Sequence, residues 1–135
     1  MIISFINFTG QAADAIAFYE TVFEVKDKKI MLFKEMPENL KPHFPRDTDN
    51  WVMHAEMTIN GTPVWIGDTT QSITKGNLIT LAVPIASQEE VRSTFDQLKE
   101  GGEVLMNLEK TFYSPLFGVV KDKFSIIWHL MCREL

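Results

Sequence analysis

Two stretches of the chain place their apolar residues at helical spacing. The first covers residues 11–23, and its positions i, i+4, i+7 and i+11 are Ala12, Ile16, Tyr19 and Phe23. The second has at i, i+4 and i+7 the residues Val91, Phe95 and Leu98. Each stripe predicts an amphipathic helix with one buried face. Ser87 and Glu90 predict a capping box at the start of the second helix, and Gly101-Gly102 predict its end.

The remaining apolar runs are short and predict β-strands. They cover residues 2–8, 25–33, 51–59, 62–68, 77–85 and 103–108, and a final hairpin over 117–131 turns near residues 121–124. Asn60-Gly61 is the preferred dipeptide of a type I′ hairpin turn, in which both residues need positive φ. Residues 34–50 hold three prolines among polar residues and predict a long irregular loop, of the kind that forms a lid or a rim.

The order of these elements repeats along the chain. A strand, a helix, a strand and a hairpin, or βαβββ, occur in module one (1–70) and again in module two (75–135). The length of 135 residues predicts that both modules belong to a single domain. Helices that are segregated from mostly antiparallel strands indicate an α+β fold and not a doubly wound sheet.

Composition narrows the classes of partner and compartment. Apolar residues make up 45% and charged residues 23% of the chain, as in soluble globular proteins. A net charge of −5 argues against nucleic acid or an anionic membrane surface as the main partner. The apolar start of the chain reads as a strand, and no run approaches the ~20 residues of a membrane span. A lone cysteine, Cys132, fits a buried thiol in a reducing compartment, so we expect a cytoplasmic protein.

The strand at residues 51–59 carries a histidine and a glutamate two positions apart. Strict alternation places Val52, His54, Glu56 and Thr58 on one face. That face is either the wet side of an amphipathic strand or the lining of a ligand cavity. By the same alternation His129 is either a satisfied core residue or a cavity residue, and imidazole suits acid–base catalysis near neutral pH.

Several strings resemble a known superfamily. "AIAFYETVF" resembles the vicinal oxygen chelate superfamily, which includes glyoxalase I, bleomycin-resistance proteins and extradiol dioxygenases. "KEMPENL", "MHAEMTINGTPVWIGD" and "TFYSPLFGVVKDKFSIIWHL" are similar to its PhnB-like branch, also labelled 3-demethylubiquinone-9 3-methyltransferase-like. The resemblance implies two βαβββ modules forming a cupped, mostly antiparallel eight-stranded sheet with helices outside. It also implies a small-molecule site in the cup and a homodimer.

Metal-dependent members of the superfamily take ligands from four strand positions. The resemblance puts these positions near Ser4, Trp65 and Leu78, and at His129, of which only His129 is a strong ligand. We therefore expect no inherited metal and no cofactor. A rebuilt site from His54, Glu56 and His129 stays open. Methyl transfer is disfavoured, because no Gly-rich cofactor turn exists and the only glycine near the first strand is Gly10.

Aromatic residues outnumber charges in the strings that match cavity or rim segments. The candidates for stacking on a ligand are Trp65, Phe112, Tyr113 and Phe117, although aromatic residues more often build core. An uncharged turn at "SPL" favours an uncharged or weakly polar ligand. Our leading hypothesis is a protein that binds or sequesters a small molecule without metal. The alternative is an enzyme of the lyase, isomerase or dioxygenase type, using His129 with His54 and Glu56; a purely structural protein is disfavoured.

One position of this chain differs from the residue that is common in the PhnB-like branch. Members commonly have glycine where this chain has Ser125, directly after "DKF" in the final hairpin. If that turn requires positive φ, a serine there is strained or the turn adopts another geometry.

Overall fold

The first unit of the chain, Met1–Thr74, is a four-stranded sheet with one helix. The structure is a computed structural model that describes residues 1–133, with residue 46 described by its backbone alone. The elements are β1 (Ser4–Phe8), α1 (Ala12–Val22), β2 (Val25–Leu32), β3 (Val52–Ile59) and β4 (Thr62–Asp68). The strand order is β1-β4-β3-β2, with β1 parallel to β4 and the other pairs antiparallel.

The second unit, which begins at Lys75, repeats this plan. Its elements are β5 (Leu81–Ile85), α2 (Gln88–Leu98), β6 (Glu103–Glu109), β7 (Phe117–Lys121) and β8 (Ile127–Cys132). The order β5-β8-β7-β6 is that of the first sheet, with β5 parallel to β8. The predicted α+β class and the doubled βαβββ order are therefore confirmed. No helix within residues 1–133 is long and apolar enough to cross a membrane.

Both predicted helix stripes are buried. All four residues of the α1 stripe lie in the core, as do the three residues of the α2 stripe. At the start of α2, the Ser87 hydroxyl accepts a hydrogen bond from the Glu90 amide at 3.2 Å, which is the serine half of the predicted capping box. The helices thus cover one face of each sheet and leave the opposite face to the candidate site.

The proline-containing segment lacks extended regular structure, as predicted. Three single turns of 3-10 helix interrupt it, at Phe33–Glu35, Lys41–His43 and Arg46–Thr48. Phe33 and Met36 are buried, so the segment packs on its own unit at its start. Its proposed role as a lid or rim remains a prediction.

The start of β5 and the position of the last turn shift from their predicted places. The strand predicted at 77–85 begins only at Leu81, where register with Trp128 of β8 starts, and Leu78 before it is 97% exposed. An apolar residue type is insufficient for a strand when no partner strand is within reach. The last turn occupies residues 122–126 and not 121–124, since β7 continues to Lys121 and β8 begins at Ile127.

Candidate functional site

His54 and Glu56 lie on the face of the first sheet that points away from α1. Both belong to β3, and the His54 Nε2 atom is 3.3 Å from the Glu56 Oε2 atom. Their side chains are 33% and 47% exposed, so the pair is accessible to a ligand. The i, i+2 spacing puts both side chains on one face of the strand, as the sequence predicted, and the structure shows that they are in contact.

Two aromatic rings surround His54. The ring centroid of Trp65 is 5.0 Å from that of His54, and the centroid of Phe5 is 5.6 Å from it. Phe5 and Trp65 are also in contact, with centroids 6.3 Å apart at a nearly perpendicular angle. We call Phe5, His54 and Trp65 the ring cluster of unit 1. Trp65 was predicted from the sequence, whereas Phe5 was missed.

Strand register brings these rings together. Phe5 is level with Trp65 across the parallel β1–β4 pair, and Glu56 is level with Trp65 across the antiparallel β3–β4 pair. Gly67 leaves room for the Met53 carbonyl oxygen on the neighbouring strand, because a Cβ there would be only 3.0 Å from it. The alternation of β1 already distinguishes Phe5 from the buried Ile6 and Phe8, but the register itself is not readable from one sequence.

The predicted alternation of the 51–59 strand fails at its beginning. Val52 was placed on the face of His54 but is fully buried. The register shifts here, since Met31 is level with His54 while Leu32 is level with Val52, so that Met53 is the extra residue of a β-bulge. The bulge reverses the side of the sheet to which the residues before His54 point. His54 and Glu56 remain on the face that points away from α1.

A second series of rings occupies the corresponding face of the second unit. The Phe117 and His129 centroids are 5.7 Å apart, those of Tyr113 and Phe117 are 5.5 Å apart, and those of Phe112 and Tyr113 are 5.0 Å apart. Exposure increases along this series from buried Phe117 to fully exposed Phe112. Phe117 also packs with Val119 and Ile127, so it supports the series from within the core.

Ser114 anchors the loop that presents Phe112 and Tyr113. Its hydroxyl is buried 2.9 Å from the Leu116 carbonyl oxygen and 2.8 Å from that of Cys132 on β8. The Thr111 hydroxyl in turn accepts hydrogen bonds from the amides of Tyr113 and Ser114. The loop is therefore held at its base while its aromatic tip is exposed.

Comparison with known proteins identifies first the class of fold. The chain superposes on the glyoxylase/bleomycin resistance protein/dioxygenase domain from Frankia sp. EAN1pec with a TM-score of 0.63. The match covers 98% of this chain and 90% of that chain at 11% identity, which shows the shared fold alone. The protein has the glyoxalase/bleomycin-resistance fold.

The family follows from the sequence. Residues 1–131 match the family model described as 3-demethylubiquinone-9 3-methyltransferase, and the chain belongs to this PhnB-like family. It is 28% identical over 131 residues to protein YjdN of Escherichia coli K12, covering 92% of this chain and 89% of that protein. It is also 28% identical to a putative 3-demethylubiquinone-9 3-methyltransferase, PhnB protein, from Bacillus cereus, with a TM-score of 0.78, covering 97% and 98% of the two chains.

The residues do not fit the divalent metal of the superfamily. Phe5 and Trp65 face the same side in the parallel strand pair of unit 1, and the equivalent pair in unit 2 is Ala82 and His129. Of these four side chains, only that of His129 has an atom that binds a divalent metal ion. Ser4, near which one ligand position was expected, lies level with Val64 and next to Phe5, and Leu78 precedes β5. Residues 1–133 contain no group of three His, Cys, Asp or Glu side chains that could hold a metal ion.

The turn after β1 does not fit S-adenosylmethionine bound in the Rossmann manner. That mode needs an open turn whose amides face the cofactor. Here the Gly10 amide donates to the Asp68 carboxylate at 2.8 Å, and Trp51 fills the space above it. A Cβ at Gly10 would lie 2.9 Å from the Trp51 ring. The turn is thus closed by the protein's own side chains.

Proposed function

We propose that the protein binds or sequesters a small aromatic or apolar molecule without a divalent metal. The observation that carries this proposal is the placement of touching aromatic rings on the sheet faces away from the helices. Trp65 belongs to one such cluster, and Tyr113 and Phe117 belong to the other. Exposed rings such as Phe112 and Tyr113 favour stacking with a flat ligand, and the uncharged turn at residues 114–116 favours an uncharged or weakly polar body.

Binding of aromatic fragments to metal-depleted protein tests this function. Indole and phenol are titrated while the tryptophan indole N–H signals are followed by nuclear magnetic resonance. We expect shifts at Trp65, and weaker binding in Trp65→Ala or Tyr113→Ala but not in the control Leu78→Ala, which removes an exposed apolar side chain outside both clusters. Absence of fragment binding, or equal binding by all variants, would contradict the proposal. A requirement for added zinc or manganese would contradict its metal-free part.

An acid–base enzyme is the second candidate, and the His54–Glu56 contact favours it. A carboxylate 3.3 Å from Nε2 can orient an imidazole that abstracts a proton through Nδ1. His129 is a further candidate base. Exchange of carbon-bound hydrogen for deuterium in α-hydroxyketones would report such activity. Exchange that is lost in His54→Gln and reduced in Glu56→Gln would favour the enzyme, and exchange equal to the buffer rate would exclude it for these carbon acids.

The proposal includes a cytoplasmic homodimer. The chain has a single cysteine, Cys132, which is buried, and so low a cysteine content is usual in a reducing compartment. Strands β2 and β6 each lie at one edge of their sheet, and each exposes large apolar side chains, among them Ile30, Met31, Leu105 and Met106. Exposed apolar side chains on the edge strand β6 favour association with another chain, whereas Lys26, Lys28 and Lys29 on β2 oppose pairing at that edge.

A further inference from the structure

The ring cluster of unit 1 carries a negative group at its border. Trp65 is flanked in register by Phe5 on one side and by Glu56 on the other, so the carboxylate lies on the same face as the indole and next to it. Glu56 keeps 47% of its side chain exposed while it contacts His54. An apolar ligand alone gives no reason for an accessible carboxylate beside these rings.

Aromatic faces and carboxylates attract the same kind of group. The face of an aromatic ring is the negative end of its quadrupole, and tryptophan is the strongest of the side chains in this respect. The rings of the cluster touch one another with centroids 5.0–6.3 Å apart, and we call the surface that they present on this face of the sheet the platform. A cation resting on the outer surface of Trp65 would be near the ring and the carboxylate at once.

We propose that this platform binds a small organic cation, a protonated amine or a quaternary ammonium group, through Trp65 and Glu56. This inference deepens the proposed function and rests on it for the aromatic contact. The positive end of the ligand lies on the Trp65 ring beside Glu56, and its apolar part lies on the neighbouring rings. The net charge of −5 attracts such a ligand over a longer range.

Two side chains beside Glu56 compete with a bound cation for its carboxylate. His54 shares the carboxylate at 3.3 Å, and Lys29 of β2 is level with Glu56 across the β2–β3 pair. Lys28 lies next to Lys29 in sequence, and its ammonium group is paired with Glu20 at 2.7 Å. Removal of the Lys29 charge should therefore improve cation binding, which a purely apolar platform would not show.

The test uses two probes of equal shape and different charge. Choline carries a quaternary ammonium group, and 3,3-dimethylbutan-1-ol replaces its nitrogen by carbon. Each is titrated into the full chain at constant ionic strength while the Trp65 indole N–H signal is followed. We expect choline to shift this signal and to bind at least about fivefold more tightly than the alcohol, the factor of one unit charge about 4 Å away in water.

Three variants assign the effect to residues. Glu56→Gln should weaken choline binding about fivefold, and Lys29→Gln should strengthen it about twofold to threefold, because the two charges act in opposite directions. Asp14→Asn is the matched control: it removes an exposed carboxylate on α1, which covers the opposite face of the sheet, so choline binding should stay within about twofold. Each variant's melting temperature shows whether it is folded.

Other outcomes overturn the inference. Equal binding of both probes, or choline binding that Glu56→Gln leaves unchanged, would mean that the platform recognises the shape of the ligand and not its charge. If choline fails to bind while indole still binds at Trp65, the cation inference fails and the proposed function survives. If neither binds, both fail.

Discussion

At the scale of single residues, two buried carboxylates organise the turns of this protein. Asp68 accepts hydrogen bonds from the backbone amides of Gly10, Ala12 and Val52 at 2.8–3.1 Å. Asp122 accepts from two amides of the last turn and from the Trp128 indole N–H at 2.8 Å. A carboxylate that satisfies three buried donors stabilises the fold more than a neutral side chain can.

Asp68→Asn should destabilise the protein by about 3 kcal/mol, because one acceptor oxygen is lost and an N–H group then faces N–H donors. Thermal or urea unfolding measures the change. Asp14→Asn is the matched control, since Asp14 is an exposed residue in the first turn of α1 and should change stability by less than about 1 kcal/mol. Equal losses of stability in the two variants would show that Asp68 stabilises the fold through its charge near the helix and not through its hydrogen bonds.

Ser125 has a positive φ, the conformation considered above because members of the branch commonly have glycine at this position. Its φ is 77°, in the region that L-residues other than glycine occupy at a cost of about 1–2 kcal/mol. Ser125→Gly should therefore stabilise the protein by about 0.5–1 kcal/mol, after the greater flexibility of glycine in the unfolded chain is included. Ser125→Ala keeps the Cβ and should give no gain; a gain equal to that of glycine would refute backbone strain as the cause.

At the scale of elements, local patterns predicted well what depends on neighbours in sequence. The stripes of α1 and α2 and the Asn60-Gly61 turn are examples, and both turn residues have positive φ, 47° and 85°. Predictions failed where the start or the register of a strand depends on the strand that pairs with it. β5 begins where β8 begins to pair with it, and the bulge at Met53 depends on the register of β2 against β3.

The β3–β4 turn offers a direct test of this local control. Gly61→Ala should cost about 1 kcal/mol, because alanine is strained at a φ of 85°. Gly76→Ala is the control. An added Cβ meets nothing within 4 Å at either glycine, but only Gly61 has a positive φ. Unfolding experiments should show a loss for Gly61→Ala alone, and a loss of the same size in both variants would point to a cause other than φ.

At the scale of the whole molecule, each copy of the chain carries β6, with exposed Val104, Leu105 and Met106, at an edge of its second sheet. If these edges associate in a homodimer, sedimentation should give twice the chain mass of 15.5 kDa. Leu105→Lys on β6 should shift the population toward monomer, because a lysine on an edge strand opposes pairing. Asn39→Lys adds the same charge in the irregular 34–50 segment and should leave the mass unchanged. A wild-type monomer at all concentrations would refute the dimer.

The sequence by itself determined the order of elements, the buried faces of both helices and the hairpin turn, because each depends on periodicity or on backbone preference within a few residues. It also placed His54 beside Glu56, since alternation within one strand suffices. Only the tertiary structure brought Phe5 to Trp65 and Asp68 to the start of α1. Those contacts join residues more than fifty positions apart, and their register is decided by how whole strands pair and pack.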